Sequence, residues 1–205
     1  YNFITYNHLG DFYCDNCGYT RPELKYHLDS ITQMTSESSS FTINGTPVNL
    51  NQGGIYNIYN ALCAFSIGKE LGLSDKSLQN SLEKQGSSFG RQESILIGDK
   101  KAKIILVKNP AGYNQAIDTI MLDYSKASLA FLLNDNYADG TDISWIWDVH
   151  FEVLREVNYQ DIFIGGERLY DMAVRLKTAG LDKDKFLLCQ DYDKLTENLK
   201  NSKGD

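Results

Sequence analysis

From residue 88 onward the chain alternates short apolar runs with stretches of helical period, and no other feature restricts its fold as much. RQESILI and KAKIILV read as strands around the turn GDKK, and ASLAFLL, DIFIG and KFLLCQ as further strands. NPAGYNQAIDTIML, ERLYDMAVRLKTAG and DYDKLTENLK read as helices, the first with Asn109 as cap and Pro110 in its first turn, the second ended by Gly180. Several of these strands are continuously apolar, as in a parallel sheet covered by helices on both faces. The expected fold is therefore an open α/β domain over residues 88–205. Ligands of such sheets bind beyond the carboxyl ends of the strands. The loop that follows ASLAFLL thus falls at the functional edge.

That loop, NDNYADGTDISWIWD at 134–148, sets four aspartates against two tryptophans. Asp139, Asp142 and Asp148 could bind a divalent ion, act as acid and base, or orient a histidine. They could equally cap helices and stay solvated; Asp142 or Ser144 is placed to open a short helix through the tryptophans. Trp145 and Trp147 beside the acids suggest a binding surface, because an exposed Trp is costly without a partner.

Upstream, residues 1–30 are rich in Tyr, Asn and Asp and carry little core; NFITYN and DFYC read as short strands before the turn CDNCG. Cys14 and Cys17, with Gly18 next, can hold one side of a tetrahedral zinc site, which needs four ligands. His8 and His27 are candidates for the others; a redox pair and unligated thiols remain as alternatives. Cys63, in a helical pattern, and Cys189, in a strand-like run, are expected to be buried free thiols. SESSS at 36–40 reads as a loop, and SFTINGTPVNL as a hairpin turning at Asn44-Gly45. A helix over 54–72 and a second one capped by Ser74 form a two-helix connector.

Asn57 and Asn60 on the first connector helix could read an adenine edge or brace a neighbouring loop. Arg91 could bind phosphate or pair with Glu93. Lys108 and Asn109, at the start of the next helix, could meet an anion there or simply begin a well-capped helix. The chain has 205 residues, 42% of them hydrophobic, enough for a core. Its net charge of −7 argues against nucleic acid as a partner. Nothing resembles a signal peptide, and ALCAF and KIILV are too short to span a bilayer, so a cytoplasmic location is the default. The first residue is Tyr, so a segment of a longer chain is expected.

Together these motifs resemble one family. GGIYNIYNALCAF is similar to the GxxNxxNxxAA helix that joins the central ATPase domain of Mur ligases to their Rossmann-like C-terminal domain, and FGRQE resembles the G-R motif after it. KNPAGYN, LNDNYADGTDISWIWD and the CxxC resemble more narrowly the MurT branch, the Mur-ligase-like subunits of lipid II isoglutaminyl synthases. The resemblance implies ATP with Mg²⁺ as cofactor, lipid II as substrate and a GatD-like glutamine amidotransferase as partner in a heterodimer. It implies amidation of the D-glutamate α-carboxyl to D-isoglutamine with ammonia from glutamine, at the inner face of the membrane. It places Asp142 as the carboxylate lent to the partner's Cys–His pair, Asn60 near the adenine, with Asn57 on the same helix, and Arg91, Lys108 and Asn109 near the ribose or phosphates. Cys14 and Cys17 become half of a four-cysteine structural zinc ribbon. The implied domains are a partial zinc ribbon at 1–30, the end of the central domain with its connector at 31–87, and the C-terminal domain at 88–205. The family's GxxGK[ST]-like run and the first CxxC are missing here, so the expected match is the C-terminal part of such a subunit, inactive by itself. A nucleotide-binding α/β module without a catalytic partner and a zinc-ribbon interaction protein are the competing readings.

Overall fold

The computed structural model describes residues 12–86, 91–122 and 127–202. Its first layer is an antiparallel sheet of β1 (Leu28–Met34), β2 (Ser39–Ile43) and β3 (Thr46–Leu50). The turn between β2 and β3 has Asn44 at φ 45° and Gly45 at φ 77°, the positive values a two-residue hairpin needs. The Asn44 side chain accepts from the His27 amide at 2.8 Å and donates to Lys25 O at 2.8 Å, which ties the turn to the segment before β1. Phe41, Ile43, Val48 and Leu50 pack against Ile58, Ala61 and Phe65 of α1 (Ile55–Glu70) and Leu78 of α2 (Asp75–Glu83). Ser74 caps α2 as expected, accepting from the Ser77 amide. Both connector helices therefore contribute to the core of this layer.

Three expectations change here. Ser39 and Ser40 of the SESSS stretch belong to β2 rather than to a loop. β1 was not expected: LDSITQM is exposed along most of its length, so no alternation marks it. Cys63 lies on the exposed side of α1, whereas Cys189 is buried as expected.

The alternation of strand and helix starts later than residue 88. Among the described residues β4 (Arg91–Ile97) and β5 (Lys100–Ile105) pair only with each other, antiparallel, across the two-residue turn at Gly98 and Asp99. Such a turn can only reverse the chain, and Lys100, Lys101 and Lys103 do not suit a sheet covered on both faces. The parallel sheet consists of β6 (Leu129–Leu132), β7 (Ile162–Gly165) and β8 (Phe186–Leu188), in that spatial order. Central β7 is buried throughout. On one face Leu129, Phe131 and Ile164 pack with Ile117 of α3 (Pro110–Met121) and Met172 and Leu176 of α4 (Leu169–Thr178). On the other, Phe163 and Cys189 pack under Leu195 of α5 (Tyr192–Lys200). Both faces are thus covered, as the apolar strands require. Among the described residues no helix is long and apolar enough to cross a membrane.

Candidate functional site

The carboxyl ends of β6 and β7 are drawn together by a close backbone approach. Gly166, at φ 88°, lies so near Leu133 O that a Cβ there would collide with it. Asn134 Oδ1 accepts from the Glu167 amide at 3.0 Å, and the Arg168 amide donates to Leu133 O at 3.0 Å. The Arg168 guanidinium then bridges Asp135 at 3.0 Å and Asp171 at 2.8 Å. Asp135 is thereby fixed to the start of α4, and the rest of the acidic loop runs out from a rigid base.

The loop folds back at residues 136–140, where the amides of Asp139 and Gly140 donate to Asn136 O at 2.8 and 3.0 Å. Tyr137 at its tip is 97% exposed. Lys108 reaches across from the start of α3 and donates to Ala138 O at 3.3 Å. Asp142 stands exposed at the end of the loop, its Oδ1 accepting from the Ser144 amide at 2.8 Å. Hydrogen bonds from the Ser144 side chain and amide hold the Asp142 carboxyl below the ordinary carboxylate range. Ser144→Ala should therefore move the Asp142 titration midpoint up toward the unperturbed value of about 3.9, as read by carboxyl-carbon NMR. A midpoint already at the reference value in the unsubstituted protein would disprove this assignment of the hydrogen bonds.

The aspartates do not converge. Among the described residues no group of three His, Cys, Asp or Glu side chains is placed to share a metal ion. The tryptophans also divide. Trp145 turns inward, 6.1 Å from the Tyr113 ring, beside buried Ile146. Trp147 is half-exposed and lies 5.5 Å from the guanidinium of Arg175. Only the second of the expected pair offers a surface.

The nucleotide candidates lie on α1, at the start of β4 and at the start of α3. Gly54, at φ 86°, starts α1 against Thr119 near the far end of α3, where a Cβ would come 2.7 Å from its hydroxyl. Asn57 is buried, and its amide donates back to Gly53 O at 2.7 Å, so it braces this approach. Asn60, one turn on, is exposed and available. Lys108 and Asn109 sit at the other end of α3, roughly 15 Å away along the axis. Asn109 Oδ1 accepts from the Gly112 amide at 2.8 Å, which makes it the helix cap. Arg91 begins β4, but its side chain lies outside the described residues. Asn60 is exposed, whereas the side chains of Lys108, Asn57 and Asn109 already serve backbone groups.

Sequence reasoning missed Gln92. It is 5% exposed and has φ 57°, and its amide donates to Gly53 O at 3.0 Å and Tyr56 Oη at 2.8 Å. This glutamine fastens the hairpin to the start of α1. Beside it lies a polar cleft of about 200 Å³, crossed by the Lys101–Glu37 ion pair and by Lys103 bonded to Ser36 O. A polar residue inside a strand pattern carries no signal of such a role.

At the other end of the chain, Cys14 and Cys17 occupy a tight turn closed by Gly18 N donating to Cys14 O at 2.9 Å. Hydrogen bonds from the backbone of Cys17 and Asn16, and from the Cys17 side chain, lower the Cys14 thiol. That chemistry fits a metal-binding thiolate, but it provides half a site. His27, expected as a possible third ligand, instead pairs its Nε2 with Asp29 at 2.9 Å. His8 lies outside the described residues.

This arrangement of parallel sheet, flanking helices and preceding helix pair defines a Mur-ligase-like α/β fold. It is similar to the solved structure of MurF from Acinetobacter baumannii, with a TM-score of 0.66 at 20% identity over 85% of this chain and 38% of that one. Residues 106–205 match the family described as MurT ligase C-terminal. Over 98% of its length the chain is 39% identical to the lipid II isoglutaminyl synthase (glutamine-hydrolyzing) subunit MurT of Streptococcus pneumoniae, covering 45% of that protein. It is 33% identical to the MurT subunit of Staphylococcus aureus over its whole length, covering 46%. The resemblance to MurT therefore holds from end to end, and the chain spans just under half the length of these relatives.

Proposed function

We propose that this chain serves the ATP-driven, glutamine-dependent amidation of the D-glutamate α-carboxyl of lipid II, as part of the Mur-ligase-like subunit of a two-subunit synthase. In this reading a GatD-like amidotransferase releases ammonia from glutamine, and Asp142 orients the histidine of its Cys–His pair. The observation that carries the proposal is identity of 33–39% along essentially the whole chain to subunits of that name. The site supports it: Asp142 is solvent-facing, its carboxyl is lowered by hydrogen bonds from Ser144, and it stands on a loop tied down at Asp135 and Ala138. A carboxylate in that state can select the imidazole tautomer that activates a thiol.

The proposed domains are a partial zinc ribbon at 1–30, the end of a central domain with its connector at 31–87, and a C-terminal domain at 88–205. Lys108, Asn60 and Arg91 would be the residues that face ATP and its Mg²⁺. Asn57 and Asn109 would shape that edge through the backbone. ATP supplies a phosphoryl group that makes the carboxylate a better acyl donor. Cys14 and Cys17 would give two of four ligands to a structural zinc.

The test is reconstitution of the longer subunit with the amidotransferase, lipid II, ATP and glutamine, read by mass spectrometry as conversion of carboxylate to carboxamide. The 205-residue chain alone contains no GxxGK[ST] run and should hydrolyse no ATP. No amidation by the reconstituted pair would overturn the proposal, and so would ATP turnover by the chain alone.

A further inference from the structure

We propose that Arg175 is a positioning residue, which presents Asp142 by clamping the turn of chain that follows it; this rests on the role proposed above for Asp142. Arg175 lies on the inner face of α4, between Met172 and Leu176, where an apolar side chain would ordinarily sit. It is 3% exposed and is the one buried charged residue among those described. Burying a guanidinium is costly unless its donors are met, and a hydrophobic residue of similar volume often serves a core as well or better. The presence of Arg at this point calls for a purpose beyond packing.

Among the described residues, every side-chain partner of Arg175 comes from one short stretch, 146–152. Its Nε donates to Ile146 O at 3.1 Å and its Nη2 to Val149 O at 2.6 Å. Nη2 also pairs with Glu152 at 2.9 Å. The guanidinium lies 5.5 Å from the Trp147 ring and 5.3 Å from the Phe151 ring. This stretch consists of two 3-10 helices, Ser144–Asp148 and Phe151–Glu156, an element with poor internal hydrogen bonds. The Val149 amide reaches Ile146 O only at 3.4 Å. The planar fork aims two separate nitrogens at the two carbonyls at once, a fixed geometry that the single nitrogen of lysine does not reproduce.

The link to Asp142 is short. The Ile146 amide donates to Ile143 O at 3.1 Å, and the Ser144 amide donates to Asp142 Oδ1 at 2.8 Å. The side chain of Asp142 is exposed and anchored to Ser144, so its direction follows the seat of the 3-10 turn. Arg175 sets that seat from the core.

The experiment measures glutamine hydrolysis by the assembled subunits for Arg175→Lys, Asp142→Asn and the double variant. Arg175→Lys should lower kcat on the order of 10- to 100-fold, the size of effect a displaced catalytic group produces, with glutamine KM and subunit association unchanged. In the Asp142→Asn background it should add nothing, because it acts through that carboxylate. Full activity of Arg175→Lys, or an undiminished further loss in the double variant, overturns the inference while leaving Asp142 in place. An Asp142→Asn enzyme of normal rate instead removes the reading on which the inference rests. If near-UV circular dichroism shows Arg175→Lys to be unfolded, Glu152→Gln carries the same comparison: a smaller loss confined to the Asp142 background supports the clamp, and none overturns it.

Discussion

Asp142→Asn should lower glutamine hydrolysis by the assembled synthase about ten-thousandfold, the size of loss seen when the carboxylate of a nucleophile–His–Asp set becomes an amide. The reason is tautomeric. A carboxylate only accepts, so it holds the imidazole with the proton on the facing nitrogen and leaves the other free to take the thiol proton. An asparagine can present its NH₂ instead and stabilise the wrong tautomer. The substitution keeps the volume, and Asn can still accept from the Ser144 amide, so the loop and the docked complex should survive. The pH dependence has a definite sign. A carboxyl whose folded pKa is depressed gives its effect above that pKa and loses it as pH falls through it. The Asp142 contribution should thus be complete across the neutral range and fade only below about pH 4, and any limb near neutrality belongs to the partner's histidine. An unchanged rate in a complex shown to be intact would remove Asp142 from the chemistry.

The acidic loop was legible in the sequence because its position depends on one rule, that a loop after a buried parallel strand emerges at the sheet's functional edge. Ser74, Asn109 and the Asn44-Gly45 turn were equally legible, since capping and positive-φ turns are decided within a few residues. The separate hairpin was not. Whether an apolar strand joins a parallel sheet depends on partners far along the chain, and RQESILI and KAKIILV show only that they are strands. Asn57 and Gln92 were obscured for a related reason. An amide in a helix or strand pattern looks the same whether it awaits a ligand or closes the gap at Gly53. Arg175 is the plainest case: on a helix face it reads as solvent-exposed, yet it is buried because Ile146 and Val149 offer their carbonyls.

The second 3-10 stretch left a trace that standard templates discard. Val149, Phe151, Leu154 and Val157 are all buried, at spacings of two and three that match neither a strand nor an α-helix. Phe151 is the centre of this cluster. It is fully buried, 5.0 Å from Tyr113 in a T-shaped contact, 5.8 Å from Phe131 edge to face, and under the Arg175 guanidinium. Phe151→Ala should destabilise the fold by about 3–5 kcal/mol, the range for emptying a packed aromatic site. Phe151→Leu keeps most of the volume and should cost well under half as much. The cost should lie at the high end for Ala, because the cavity walls come from α3, β6 and α4, and cannot all move in together. Denaturant titration of both variants measures the difference. A loss below about 1 kcal/mol for Ala would mean that the wall collapses freely, and Phe151 could not then be the pivot on which Arg175 and the Asp142 turn are seated.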